Sequence, residues 1–124
     1  MKVGQTAIAL GVTGVLVLGA GVLLNHRHQV MATTKLERTE AAGGKELFLD
    51  LCETCHGPGG NGAGGAPTLN DGVVLQTYPT PASLEQFIQT HMPASDPGIL
   101  TKQETTDLTF YILQLNHRFL SDPG

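Results

Sequence analysis

Two cysteines and a histidine share five positions of this chain, Cys52-Glu53-Thr54-Cys55-His56, and few chemistries use that order. Thiols three positions apart at the end of a helix can each add to one vinyl group of a haem and form thioethers. The imidazole that follows can then sit below the iron as an axial ligand. The motif is read as the attachment site of one covalent haem c, with Cys52 and Cys55 as thioether carriers and His56 as proximal ligand. Two other uses of paired thiols fit less well. A structural zinc site starts with the same C-x-x-C but needs four ligands. The chain has only these two Cys, and its remaining His are scattered at His26, His28, His91 and His117. A thioredoxin-like dithiol sits at a strand-to-helix turn in a βαβ pattern, and no such pattern is present.

The rest of the composition suits a cofactor at the centre. The 124 residues include no Trp, two Tyr, four Phe and 16 Gly, too few large side chains to build much core unaided. Both Cys are consumed by the motif, so no disulfide staple remains. From Glu40 onward there are ten acidic side chains against three basic ones (Lys45, Lys102 and Arg118), a balance of −7. Nucleic-acid binding is excluded by the lack of a basic face. A redox partner with a basic docking patch, steered electrostatically, is expected instead.

Residues 6–24 carry no charge for 19 positions. At ~1.5 Å per residue such a helix nearly spans a ~30 Å hydrocarbon core. The expectation is a single transmembrane anchor over residues 1–25, retained as a signal-anchor. The rival is a cleaved signal peptide, with Lys2 as its charged start and Val30-Met31-Ala32 as an A-x-A-like site, leaving a soluble periplasmic protein. Against cleavage, the apolar run exceeds the usual ~7–15 residues. Gly11, Val15 and Gly19 share a stripe that would suit packing on another helix. Charge alone does not orient the anchor: Lys2 flanks one side, and Arg27, Lys35 and Arg38 the other. His26 and His28 are expected at the lipid headgroups. Residues 26–38 read as a flexible linker reaching about 20 Å as a coil, and 118–124 as a frayed tail.

The head is expected over residues 39–117 and reads as all-α. Residues 40–51 form a helix with Leu47, Phe48 and Leu51 on one face and Thr39 as its cap. Gly43-Gly44 weakens such a helix and points to close approach by another backbone. The stretch Gly57-Pro58-Gly59-Gly60-Asn61-Gly62-Ala63-Gly64-Gly65 reads as a tight loop around the haem edge. Residues 71–79 read as irregular, with Val73, Val74, Leu75 and Tyr78 buried against the haem. A helix begins at Thr80-Pro81, with Ser83 and Gln86 at capping-box spacing. It ends near His91, because the residue before Pro93 leaves the helical region. Thr101 and Glu104 form a second capping-box pair, opening a helix over 101–116 with a stripe of Leu108, Tyr111, Ile112 and Leu115.

A haem iron held by His56 has a second axial position. Met92, at a helix end and stiffened by Pro93, is the expected distal ligand. His91 is the competitor and would give a bis-His haem of lower potential.

With these residues in hand, the chain resembles the class I cytochromes c over roughly residues 39–116. The likeness rests on Gly44, Phe48, the Cys52–His56 motif, Pro67, Met92-Pro93 and Tyr111. It implies a cytochrome c fold of three to four helices around the haem, whose first and last helices cross at a Gly and an aromatic. It also implies that the Pro67 carbonyl accepts a hydrogen bond from His56, and that the haem domain lies on the periplasmic face of the membrane. Met92-Pro93, then Pro97-Gly98-Ile99-Leu100 and a final Tyr111-Ile112-Leu113 with Asn116, looks like cytochrome domains that work beside periplasmic dehydrogenases.

The reading is a membrane-anchored monohaem carrier, not an enzyme. It passes single electrons within a respiratory or photosynthetic chain or to and from a periplasmic dehydrogenase. Two alternatives stand beside it. One is a permanent electron-transfer subunit of a membrane quinol oxidoreductase, terminal oxidase or dehydrogenase. The other is a haem sensor with an exchangeable Met92.

Overall fold

The computed structural model describes residues 6–118, which are helical with no strand among them. Residues 1–5 of the expected anchor and 119–124 of the expected tail lie outside the described residues. The chain divides between Thr33 and Thr34 into two units. Five α-helices follow in order: α1 Thr6–Leu51, α2 Glu53–His56, α3 Val73–Thr77, α4 Pro81–His91 and α5 Lys102–Leu115, with a 3-10 turn at Pro58–Gly60 after α2.

In the first unit, Leu18, Val22, Leu23 and Leu24 are exposed. Among the residues whose side chains are described, 18–118, no helix is long and apolar enough to cross a membrane. The expected coil over 26–38 is instead helical. Its residues include no Gly or Pro and several good helix formers (Gln29, Met31, Ala32, Lys35, Leu36, Arg38), so polarity there did not mean disorder. Thr39, expected as a cap, lies inside α1 and donates its hydroxyl to the Lys35 carbonyl at 3.0 Å.

The second unit is built on the crossing of α1 with α5. Gly44 is the contact point: a Cβ there would fall on the Asp107 carbonyl of α5. One turn later Phe48, fully buried, meets Tyr111 with ring centroids 5.2 Å apart and tilted by 56°, a favourable aromatic geometry. Leu84 and Ile88 of α4 and Leu108 and Ile112 of α5 complete this core with Leu100 and Val74. Thr105 and Thr109 are buried as well, their hydroxyls donating to the Thr101 and Thr105 carbonyls one turn back at 2.9 and 2.8 Å. No polar atom is therefore stranded on that face.

Helix starts follow capping chemistry. At α5, the Glu104 N–H donates to Thr101 Oγ1 and the Thr101 N–H to Glu104 Oε2, at 3.3 and 2.8 Å. At α4 the box is Thr80 with Ser83 rather than Ser83 with Gln86. Pro81 takes the first helical position, so the cap must be the residue before it. The stretch expected to be irregular contains α3, which starts after Gly72 with the Val73 N–H donating to Asp71 Oδ1 at 3.0 Å. Five residues are too few for helical periodicity to show. Val74 is buried there, and Val73 lines the cavity described below.

Four carboxylates gather near the crossing. Burial, then the charges of Asp107, Glu37 and Glu85, hold the Glu40 carboxyl above its ordinary value. A carboxyl raised in the folded state binds its proton more tightly there than in the unfolded chain. Its ionisation therefore costs stability as pH rises through the ordinary carboxylate range, and the cost is complete above the raised value. Glu40→Gln should raise the melting temperature at pH 7, and the gain should shrink towards zero below roughly pH 4; thermal melts across that range check the sign. Gly44→Ala improves helix propensity yet should destabilise by on the order of 1–3 kcal/mol, measured by urea titration. A stabilised variant would show that α1 and α5 do not touch there.

Candidate cofactor site

The motif is a single tight turn that follows α1. The Cys52 N–H donates to the Phe48 carbonyl at 2.9 Å, and the Cys52 carbonyl accepts from the N–H groups of Cys55 and His56 at 3.1 and 2.9 Å. Both thiols and the imidazole therefore project from one turn. Cys52 is half-buried and Cys55 exposed, while His56 is 9% exposed.

Those three residues open on a cavity of about 530 Å³, together with Pro67, Tyr78 and Met92. The remaining walls are mainly apolar, with Leu51, Val74, Leu84, Phe87, Ile88 and Ile112 among them, and no Lys, Arg, Asp or Glu contributes to the lining. Size and polarity suit a large, flat, apolar cofactor with a few fixed polar contacts. His56 Nδ1 lies 2.8 Å from the Pro67 carbonyl. A carbonyl can only accept, so Nδ1 carries the proton and Nε2 keeps its lone pair for a metal. The residues present therefore fit a covalently attached iron porphyrin.

The glycine-rich loop folds back over the motif. The Ala66 N–H donates to the Cys55 carbonyl at 3.0 Å and the Gly62 N–H to the His56 carbonyl at 2.6 Å. Gly64 lies so close that a Cβ would collide with the Thr54 and Cys55 carbonyls. This loop ends at Pro67 and so delivers the carbonyl that meets His56.

Met92 follows α4 in extended conformation, its N–H donating to the Ile88 carbonyl at 2.9 Å. It is half-buried at the cavity wall, beside Pro93. His91 is exposed and does not line the cavity. Its ring stacks on Phe87 at 4.7 Å and 11°, and its Nδ1 is 2.7 Å from Thr90 Oγ1. Leu84, Phe87 and Ile88 of α4 line the cavity, whereas His91 at the end of the same helix does not. Tyr78 lines the cavity and packs on Phe87 with centroids 4.6 Å apart.

Burial pushes the Cys52 thiol up to about 11, and Cys55 adds to the shift. A thiol kept protonated at neutral pH is a poor redox nucleophile, which counts against a dithiol site. Among the described residues no three His, Cys, Asp or Glu side chains converge as a metal ion's ligand set, which counts against structural zinc. Sequence reasoning missed Thr68, Thr77 and Ser95 on the lining. They come from loops and a short helix, where no periodicity marks an inward face.

The family model described as Cytochrome c matches residues 41–116. The chain is 36% identical over 91 residues to the "Cbb3-type cytochrome c oxidase subunit CcoP" of Azospirillum sp. (strain B510), an alignment covering 60% of this chain and 30% of the relative. The protein of the same name from Azospirillum brasilense is 37% identical over 93 residues, covering 62% and 31%. A "Thiosulfate dehydrogenase" of Psychrobacter arcticus is 33% identical over 84 residues, covering 58% and 25%. The chain spans less than a third of the length of these relatives. No solved structure matches.

Gly64→Ala should push the loop off the motif and cost on the order of 1–3 kcal/mol. A denaturant titration indistinguishable from wild type would mean that the loop does not rest on the Thr54 and Cys55 carbonyls.

Proposed function

This chain belongs to the cytochrome c family, and on that premise we propose that it carries single electrons between redox proteins on one covalently held haem c. The observation that carries the reading is the single apolar cavity onto which Cys52, Cys55, His56 and Met92 all open. Haem bound there supplies a one-electron ferrous/ferric couple. Cys52 and Cys55 hold the ring through thioethers, so it is not lost when its charge changes. His56 would present Nε2 to the iron, while the Pro67 carbonyl fixes the imidazole's orientation and would raise its basicity. Met92 would be the second protein ligand to the iron through its thioether sulfur, a ligand pair that favours a high potential. Tyr78 and the apolar walls exclude water, which limits solvent reorganisation on electron transfer. With His56 and Met92 both holding the iron, no substrate would reach it, and the role would be carriage rather than catalysis.

Residues 6–24 serve as a single-pass membrane anchor that keeps the haem domain on the periplasmic face. The support is their uncharged run of 19 positions and the exposure of Leu18, Val22, Leu23 and Leu24. The acidic balance of the head favours partners with basic docking patches. A second reading, a fixed electron-transfer subunit of a membrane oxidoreductase, is favoured by the oxidase subunits among the relatives. Co-migration at constant stoichiometry with an oxidoreductase in mild detergent would favour the subunit; migration alone, the carrier.

The haem-loaded protein tests the site. Met92→Ala should turn the iron from low-spin to high-spin, or rewire it to His91. The midpoint potential should fall by a measurable fraction of the ~0.8 V range that axial ligands command. An unchanged spectrum and potential would mean that Met92 is not the ligand.

A further inference from the structure

Asn116 follows the last turn of α5, and its side chain reaches beyond the helix. Its backbone N–H already bonds within the helix, to the Ile112 and Leu113 carbonyls at 3.3 and 3.1 Å. The carboxamide makes three further bonds. Nδ2 donates to the Ile112 carbonyl at 2.7 Å and to the Leu69 carbonyl at 2.7 Å. Oδ1 accepts from the Gly72 N–H at 2.8 Å. Leu69 and Gly72 lie 47 and 44 positions back along the chain. Capping a helix needs no such reach. Two donors and an acceptor are used together, a combination Asp cannot supply for want of N–H groups.

The clamped segment carries the support of the axial imidazole. One residue separates Leu69 from Pro67, whose carbonyl lies 2.8 Å from His56 Nδ1. Leu69 lines the cavity, and its N–H donates to the Gly60 carbonyl at 2.7 Å. The turn at Gly60 thus holds the segment on one side and Asn116 on the other. Beyond Gly72 the chain enters α3, whose Val73, Val74 and Thr77 also line the cavity.

We propose that Asn116 is a positioning residue for the haem: by fixing the Leu69 carbonyl and the Gly72 N–H it keeps the Pro67 carbonyl on His56 Nδ1. Through that bond it sets the orientation and basicity of the axial imidazole. This rests on the reading of His56 as the proximal ligand. Side-chain removal leaves two carbonyls and one N–H without this partner, and the segment between Pro67 and Gly72 gains freedom.

The experiment uses the haem-loaded full chain. Proton NMR of the reduced protein reads the exchange rate of the His56 Nδ1 proton, electrochemistry reads the midpoint potential, and a thermal melt reads stability. Leu113→Ala is the control: Leu113 is buried on α5 and does not line the cavity. Asn116→Ala should speed exchange of the ring proton roughly tenfold or more and shift the potential. Leu113→Ala should lower the melting temperature and leave both other readings at wild-type values. Asn116→Asp keeps the size and the acceptor for Gly72 but loses the donor to Leu69. It should also speed exchange, and it decides the matter if Asn116→Ala does not load; its added charge moves the potential by itself, so only its exchange rate counts. Wild-type exchange in the Asn116 variants, or equal acceleration in Leu113→Ala, overturns the clamp. A His56 ring signal without a haem-induced shift in the wild type overturns the ligand reading instead.

Discussion

The second unit is organised by a contact between two backbones. Gly44 lies against the Asp107 carbonyl, and no residue with a Cβ can come so near. That approach brings Phe48 onto Tyr111 at 5.2 Å, and the Phe48 carbonyl in turn receives the Cys52 N–H. The crossing therefore sets the register of the haem turn, one helical turn further on. The same α5 ends at Asn116, whose amide bonds the loop segment on the far side of the motif. Two glycines within a helix cost about 1 kcal/mol each in propensity; close packing of the helices offsets that cost.

Charge is kept off the cavity and collected outside it. No Lys, Arg, Asp or Glu side chain lines the site, whereas Glu37, Glu40, Glu85 and Asp107 stand near one another beside the helix crossing. In an apolar enclosure each fixed dipole acts with little screening. The bond between His56 and the Pro67 carbonyl therefore weighs more on the ring than a surface contact would. For the role proposed above, the acidic surface would guide a cationic partner to the site over distances of about a Debye length.

Much of this was legible in the residues because chemistry demands particular types at particular spacings. Cys52, Cys55 and His56 announced a haem, and Gly44 before Phe48 announced a backbone contact. Met92 stood out because Pro93 must end a helix beside it. What escaped notice had no such demand. Residues 26–38 are polar and were read as coil, but helix formation needs only the absence of breakers. α3 is too short to show a period. The α4 cap was misassigned by one turn because two hydroxyl residues, Thr80 and Ser83, both had acceptable spacing. His91 shared the stripe of Leu84 and Ile88, yet its ring stacks on Phe87 outside the cavity lining. Asn116 was visible only as part of a family pattern. Its bonds span more than 40 positions, a separation that no local spacing encodes.

The wrapping of the glycine loop has a consequence for biogenesis. Residues 57–67 rest on the carbonyls of the turn that bears the thiols, and a Cys52 not yet joined to the ring is half-buried, its thiol pushed up to about 11 by burial. A ligating enzyme needs an accessible sulfur that ionises readily. An open chain leaves both sulfurs accessible; the closed domain leaves Cys55 exposed and half-buries Cys52. If covalent attachment precedes closure of the loop, both sulfurs are reached from an open turn, and the polypeptide completes its folding around the porphyrin.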